Sequence, residues 1–172
     1  RIVVTLDYAG LGDRTSLLDG GLAAWTRDGR EVTNVILDVK TGTLAPLKTK
    51  PIIVDAAFVK ANLRKPDIAI VDARPAPFYD GTQIGGSAQA PHKTGHIDGA
   101  HNVPWSDLTT ADMQTFKSAT ELKDRFAQAG VKPGDTVVGY CHTRQHATPM
   151  LSAAATLGAL LVDEVDHDDR VI

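Results

Sequence analysis

The clearest pattern along the chain is an alternation of short apolar runs and amphipathic segments over residues 51–172. Apolar runs predict strands at residues 52–54, 68–71, 100–103, 136–140 and 160–165. Helical spacing predicts helices after Asp55, after Ser118 with a capping box to Glu121, and over residues 147–157. Strands that alternate with helices predict an α/β fold, with an open, mostly parallel sheet covered by helices on both faces.

The part of the chain before this alternation follows a different pattern. Residues 1–12 predict the end of a helix, residues 16–18 a short strand and residues 22–27 one or two helical turns. Residues 35–50 are polar without a sustained period, which predicts a linker across the surface. We therefore expect residues 35–50 to join residues 1–34 to a main domain over residues 51–172. The first residues are apolar and resemble the middle of an element, so we expect the chain to be a fragment.

Composition excludes several classes of protein. The chain has 172 residues, of which 42% are hydrophobic, so intrinsic disorder is not expected. A net charge of -3 gives no electrostatic reason to expect a nucleic-acid partner. No apolar run approaches the ~18 residues of a membrane span, and no signal-peptide pattern is visible, so the sequence assigns neither a membrane nor a compartment. Cytoplasmic and periplasmic locations both stay open.

Cys141 is the single cysteine, so neither an intrachain disulfide nor a site built on several thiolates is expected. It is either a small buried hydrophobic residue or a reactive thiol. It lies in a polar loop between a predicted buried strand and a predicted helix. A helix N-terminus presents unpaired amides and partial positive charge, which stabilise a thiolate. This context favours a catalytic nucleophile.

Further candidate residues surround Cys141 in the sequence. The expected substrate-binding residues are His142, Thr143, Arg144, Gln145, His146 and Arg74. The positive charge expected of Arg144 and the two histidines suits a small anionic substrate. Asp72 either caps a strand end or supports the site, because a charged group at a strand end near a site usually has a partner. Arg74 binds an anion, or pairs with Asp72 or Asp80.

Three motifs together resemble the rhodanese family. Residues 95–104 match its Gly-His-Ile-x-Gly-Ala-x-Asn-x-Pro pattern at every fixed position. Residues 72–74 with Tyr79 and Gly81 resemble its Asp-x-Arg…Tyr-x-Gly segment, and Tyr140-Cys141 opens a loop like its active-site loop. Residues 17–25 resemble the closing Leu-Asp-Gly-Gly-x-x-x-Trp of such a domain. Residues 1–34 thus look like the tail of a first rhodanese-like domain in a tandem arrangement.

The resemblance implies a sulfurtransferase without a cofactor. Cys141 would take a sulfane sulfur from thiosulfate as a persulfide and pass it to cyanide or a thiol. Asp72 would support the active-site loop by accepting hydrogen bonds from its amides. The alternative donor is 3-mercaptopyruvate. Two-domain relatives often carry Arg where this chain has Phe78, which puts thiosulfate binding in doubt. The implied partners are the small anionic donor, the acceptor, and a missing N-terminal domain or second chain.

Two rival functions and a metal site are disfavoured. A cysteine-dependent phosphatase needs Arg six positions after its nucleophile, and this chain has Ala147 there. Non-catalytic rhodanese-like modules usually lose the cysteine, which is present here. The histidines at positions 92, 96, 101, 142 and 146 match no metal-ligand spacing, so no metal site is expected.

Overall fold

The fold is described by a computed structural model over residues 1–112, 114–143 and 145–164, with side chains described to residue 159. Its sheet has five strands, β1 Ile53–Val54, β2 Ile68–Asp72, β3 His101–Asn102, β4 Thr136–Tyr140 and β5 Leu160–Glu164. Their order is β1-β5-β4-β2-β3, and every neighbouring pair is parallel. The predicted open parallel sheet is therefore confirmed.

Six helices accompany these strands in the described part of the chain. They are α1 Ile2–Tyr8, α2 Gly21–Arg27, α3 Ala56–Ala61, α4 Ala76–Tyr79, α5 Ala119–Gln128 and α6 Ala147–Thr156. Short 3-10 turns lie at Gly12–Arg14 and Trp105–Leu108. The predicted strand at residues 16–18 is wrong, because no neighbouring strand pairs with these residues. Phe78 lies in α4.

Helices cover both faces of the sheet, as predicted. Alternate residues of a strand point to opposite faces, which separates two cores. One face packs β2 and β4 against α5 and α6, through a cluster that includes Val71, Val137, Leu122, Phe126 and Leu151. The other face packs Ile70 and Val138 against Val59 of α3 and against Ile97.

Two predicted helix starts are confirmed at atomic detail. The Asp55 side chain accepts a hydrogen bond from the Phe58 amide at 2.8 Å and begins α3. Ser118 and Glu121 form the reciprocal capping box of α5. These caps satisfy amides that the first helical turn leaves without a partner.

The parallel register brings the carboxyl ends of three strands together. Asp72 lies beside Asn102 of β3 on one side and beside Tyr140 of β4 on the other. Ligands of open α/β sheets bind at this edge. Functional residues are therefore expected in the segments that follow β2, β3 and β4.

The N-terminal segment docks on the main domain without adding a strand. Tyr8 O accepts from the Lys50 amide at 2.8 Å, and Asp19 accepts from the Phe116 amide at 3.1 Å. A cavity of about 650 Å³ lies between this segment and helices α5 and α6, and none of the predicted site residues lines it. Among the described residues, no helix is long and apolar enough to cross a membrane. Residues 30–50 contain neither helix nor strand.

Candidate active site

Cys141 directly follows β4, which lies between β5 and β2 in the sheet. Its side chain is half-buried and packs beside the core formed with α5 and α6. Six residues later the backbone enters α6, whose first residue, Ala147, is fully buried. The nucleophile candidate thus lies between a strand end and a helix N-terminus, as the sequence predicted.

A glycine in β4 determines how closely α6 approaches Cys141. A Cβ atom at Gly139 would lie 2.7 Å from Met150 Cε and 2.8 Å from Leu151 Cγ. Those distances are shorter than real carbon contacts, so a larger residue would push the helix or its side chains away. Gly139 therefore fixes the distance between α6 and the strand that carries the cysteine.

Asp72 and Arg74 form a buried ion pair at the end of β2. The Asp72 side chain is fully buried and that of Arg74 is 6% exposed. Arg74 donates to the carboxylate from its amide, Nε and Nη2 at 2.5–3.0 Å. Burial opposes ionisation of Arg74, but its hydrogen bonds to Asp72 and the charge of that carboxylate raise its pKa overall. Of the pairings expected for Arg74, the one with Asp72 is present.

This pairing bears on two predicted roles. Among the described hydrogen bonds, Arg74 donates to the Asp72 carboxylate, and no described amide of the Cys141 loop does so. The expected contacts of Asp72 with the loop amides stay a prediction. Arg74 also donates to Gly95 O at 2.6 Å, so most of its five donors are occupied and Asp72 offsets its charge. Binding of an anionic substrate by Arg74 likewise stays a prediction.

His142 is uncharged at neutral pH, contrary to the expectation of positive charge. Arg74 Nη1 lies 2.8 Å from His142 Nε2, and a guanidinium can only donate, so this nitrogen accepts. Burial, followed by the charges of Arg74 and His92, lowers the pKa of His142 from 6.5 to about 4. The sequence shows neither effect, because Arg74 is 68 residues away along the chain.

Aromatic rings surround His142. The Phe78 ring meets it edge to face at 5.2 Å between centroids, and the His92 ring lies 4.4 Å away. A Cβ atom at Gly85 would lie 2.5 Å from His142 Cε1. Sequence reasoning missed Gly85 and His92 as neighbours of the loop. The Gly85-Gly86 pair in a polar stretch was the available signal, since adjacent glycines often allow a close approach.

His146, the last loop residue, stacks on Trp105 at 6.0 Å between centroids. It is half-buried, and this burial lowers its pKa below the usual value. His146 thus adds less positive charge at neutral pH than the sequence predicted. Trp105 follows the end of β3, so it reaches the loop from the same edge of the sheet.

The remaining predicted loop residues have simpler surroundings. Thr143 and Gln145 are exposed to solvent. Arg144 lies outside the described residues, so its predicted anion-binding role stays a prediction. The backbone amides of His142, Thr143, Gln145 and His146 donate no hydrogen bond to another described residue. They are therefore available to an anionic sulfur atom or substrate oxygen.

The motif at residues 95–104 holds the ends of β2 and β4 in place through hydrogen bonds. Asn102 Nδ2 donates to the backbone oxygens of Asp72 and Arg74, at 3.1 and 3.0 Å. The Ile97 amide donates to the Tyr140 hydroxyl, and burial keeps that phenol neutral by raising its pKa. The motif therefore fixes the backbone on both sides of the Asp72–Arg74 pair. Among the described residues, no three His, Cys, Asp or Glu side chains form a group that could hold a metal.

The family follows from comparison with known proteins. The model of the rhodanese-like domain matches residues 55–165, so the chain belongs to this family. A probable 3-mercaptopyruvate sulfurtransferase of Pseudomonas aeruginosa is 32% identical over 154 residues, covering 89% of this chain and 52% of its own length. Putative thiosulfate sulfurtransferase 1 of Mycobacterium bovis is 31% identical over 143 residues, covering 79% and 50%.

A solved structure is also similar over almost the whole chain. It is an EanB variant in complex with ergothioneine covalently linked with a persulfide cysteine, with a TM-score of 0.77 and 26% identity. The match covers 96% of this chain and 41% of that one. The chain spans about half the length of the curated relatives it matches.

Proposed function

We propose that the protein is a sulfurtransferase in which Cys141 carries the transferred sulfur as a persulfide. The observation that carries this proposal is the placement of a half-buried lone cysteine between the end of β4 and the N-terminus of α6. Membership of the rhodanese-like family supports it, as do relatives named sulfurtransferases and a similar structure that contains a persulfide cysteine.

The reaction is a double displacement. With thiosulfate, the Cys141 thiolate attacks the sulfane sulfur, the S–S bond breaks, and sulfite leaves with the electron pair. The persulfide anion then lies near the amides of His142, Thr143, Gln145 and His146 and near the α6 N-terminus. A cyanide or thiolate acceptor attacks the outer sulfur, and the cysteine thiolate returns.

Thiosulfate is the donor predicted from the sequence, and one observation favours 3-mercaptopyruvate as a second candidate. Asp72 offsets the charge of Arg74, while His142 accepts a hydrogen bond and is neutral. The loop therefore offers less positive charge than its composition indicates. Thiosulfate carries two negative charges and 3-mercaptopyruvate carries one. The reduced positive potential of the loop therefore weakens binding of thiosulfate more than binding of 3-mercaptopyruvate. Both donor names occur among the relatives.

The test of persulfide formation is intact-protein mass spectrometry after treatment with each donor. We expect a gain of ~32 Da, reversed by cyanide, because a thiolate takes up one sulfur atom. Cys141→Ser should show no gain. An unchanged wild-type mass with both donors, or the same gain in Cys141→Ser, would overturn the proposal.

The two donors are separated by steady-state kinetics with a common thiol acceptor. Because the loop offers little positive charge, we expect a higher kcat/KM for 3-mercaptopyruvate than for thiosulfate. Raised ionic strength should weaken thiosulfate binding more, because screening acts on the more highly charged ligand. A clear preference for thiosulfate at both ionic strengths would restore the donor predicted from the sequence.

We also propose that residues 1–34 are the tail of an N-terminal rhodanese-like domain, with residues 35–50 as the linker. The closing motif in residues 17–25 and the greater length of the relatives support this. Leu17, Leu18 and Leu22 are mostly exposed, as expected for a surface that another domain covers. An immunoblot of the native protein should show a mass near twice 18.3 kDa, and a band at 18.3 kDa alone would reject the proposal.

A further inference from the structure

His92 lies against the active-site loop although no sequence motif points to it. An antiparallel bridge between Gly86 and Pro91 closes a small hairpin, and the His92 amide donates to Gly85 O at 2.9 Å. This hairpin places the His92 ring 4.4 Å from the His142 ring, tilted by 55°. The residue beside the nucleophile is therefore packed by a side chain far from it in sequence.

The Nδ1 atom of His92 is buried and has no hydrogen-bond partner in the described part of the chain. Almost all buried polar atoms in folded proteins have a partner, because leaving one unpaired costs folding free energy. An unpaired buried atom in a native structure therefore calls for an explanation, and a role in the reaction is one such explanation.

His142 supplies a matching donor. Its Nε2 accepts from Arg74, so in the neutral imidazole the proton is on Nδ1. A Cβ atom built on Gly85 would lie 2.9 Å from Nδ1 of His142 and 2.9 Å from Nδ1 of His92. Both nitrogens thus border the same small space, which only glycine leaves open. Rotation of either ring about its side-chain bonds would move the donor towards the acceptor.

We propose that His92 is a positioning residue for sulfur transfer, whose Nδ1 accepts a hydrogen bond from His142 Nδ1–H when the Cys141 loop is in its reactive geometry. The inference rests on the proposed sulfurtransferase function. The resulting series of hydrogen bonds runs from Asp72 through Arg74 and His142 to His92. It fixes both ring nitrogens of His142, the residue next to the nucleophile. Orientation of this kind contributes to the rate of the chemical step, not to donor binding.

The kinetic test compares two replacements of His92 with a control on the same hairpin. His92→Phe keeps a ring but removes the acceptor, and we expect kcat to fall about 10- to 100-fold with KM nearly unchanged. His92→Asn places an amide oxygen near the position of Nδ1 and should retain most of the rate. The exposed Gln89→Ala should match the wild type.

Stability separates this role from simple packing. Because His92→Phe removes an unpaired buried nitrogen, its Tm should be equal to or up to about 4 °C above that of the wild type. Loss of rate together with retained Tm supports positioning. Wild-type rate in a folded His92→Phe variant overturns it.

NMR provides a readout that does not depend on activity. In the ¹⁵N-labelled protein, His142 should show the Nδ1-protonated tautomer, with a nitrogen–nitrogen coupling across the hydrogen bond to His92 in the persulfide form. An Nε2-protonated His142, or no coupling in that form, overturns the inference. Failure of the wild type to form a persulfide overturns the proposed function instead, so the two failures are distinguishable.

Discussion

Arg74 donates a hydrogen bond to Nε2 of His142 across 2.8 Å, although the two residues are 68 positions apart. The same guanidinium holds the buried Asp72 carboxylate. Arg74 therefore joins the end of β2 to the first residue after the nucleophile. The conformation of the loop beside Cys141 therefore depends on the position of this pair.

The first prediction concerns the Asp72–Arg74 pair. Arg74→Ala should lower the free energy of unfolding by about 3–5 kcal/mol, because it leaves a fully buried carboxylate without its partner. Urea denaturation at neutral pH measures the change. Arg64→Ala is the matched control, since the Arg64–Asp98 pair is exposed and its loss should change stability little. Equal effects of the two replacements would contradict the buried-pair interpretation.

The second prediction concerns the pH dependence of stability. The pKa of His142 is lowered from 6.5 to about 4 in the folded state, chiefly by burial. As pH falls, His142 therefore takes up its proton in the unfolded chain before it does so in the folded protein. The contribution of neutral His142 to the free energy of unfolding is complete above pH 6.5 and is lost progressively between pH 6.5 and 4. His142→Gln, which keeps an acceptor for Arg74 without a titrating group, should show a smaller loss of stability between about pH 7 and 5.

An NMR titration checks the assignment of that effect. The ring proton signals of His142 should titrate well below those of an exposed histidine. A His142 midpoint near the ordinary value would contradict the neutral acceptor role. An unchanged pH dependence in His142→Gln would assign the effect to another group.

The third prediction concerns the pH dependence of persulfide formation. Burial lowers the pKa values of His142 and His146, so both rings are already largely neutral at pH 7. Single-turnover sulfur uptake from thiosulfate should therefore not decline as pH rises from about 6 to 8. A decline with a midpoint near 6.5 that disappears in His146→Gln would show that a histidine cation binds the donor, as the sequence alone predicted.

The fold could be predicted from the sequence largely because its two central strands are unambiguous. β2 and β4 are continuous apolar runs bounded by turn residues, and the structure places them within one residue of the prediction. Asp55 and Ser118 carry local capping chemistry that needs no tertiary information. Residues 16–18 contain a shorter apolar pair, Leu17 and Leu18, but a strand also needs a neighbour, which the sequence does not show.

The candidate site was predictable in position but not in charge. Cys141 and its loop follow from the order of strand and helix. The neutral state of His142 depends on Arg74 and on burial, and its contacts with His92 and Phe78 depend on how distant loops pack. Residue type alone therefore overstated the positive potential of the loop, because histidine changes charge with small changes in its surroundings.

The fourth prediction concerns the close packing of α6 on β4. In Gly139→Ala, the added methyl group would lie 2.7 Å from Met150 Cε and 2.8 Å from Leu151 Cγ, so these side chains or α6 itself must move away from the strand. We expect a loss of about 1–3 kcal/mol in the free energy of unfolding, the usual cost of overpacking. Sulfur uptake should fall as well, because the α6 N-terminus moves relative to Cys141.

A control and a rescue separate this effect from a general response to alanine. Gly42→Ala, where a Cβ atom meets nothing within 4 Å, should leave stability and sulfur uptake unchanged. Met150→Ala combined with Gly139→Ala should recover part of the uptake, because it removes one of the two close contacts, although the fully buried Met150 also contributes to the core. Full uptake in a folded Gly139→Ala variant would show that the distance between α6 and β4 does not control the reactivity of the cysteine.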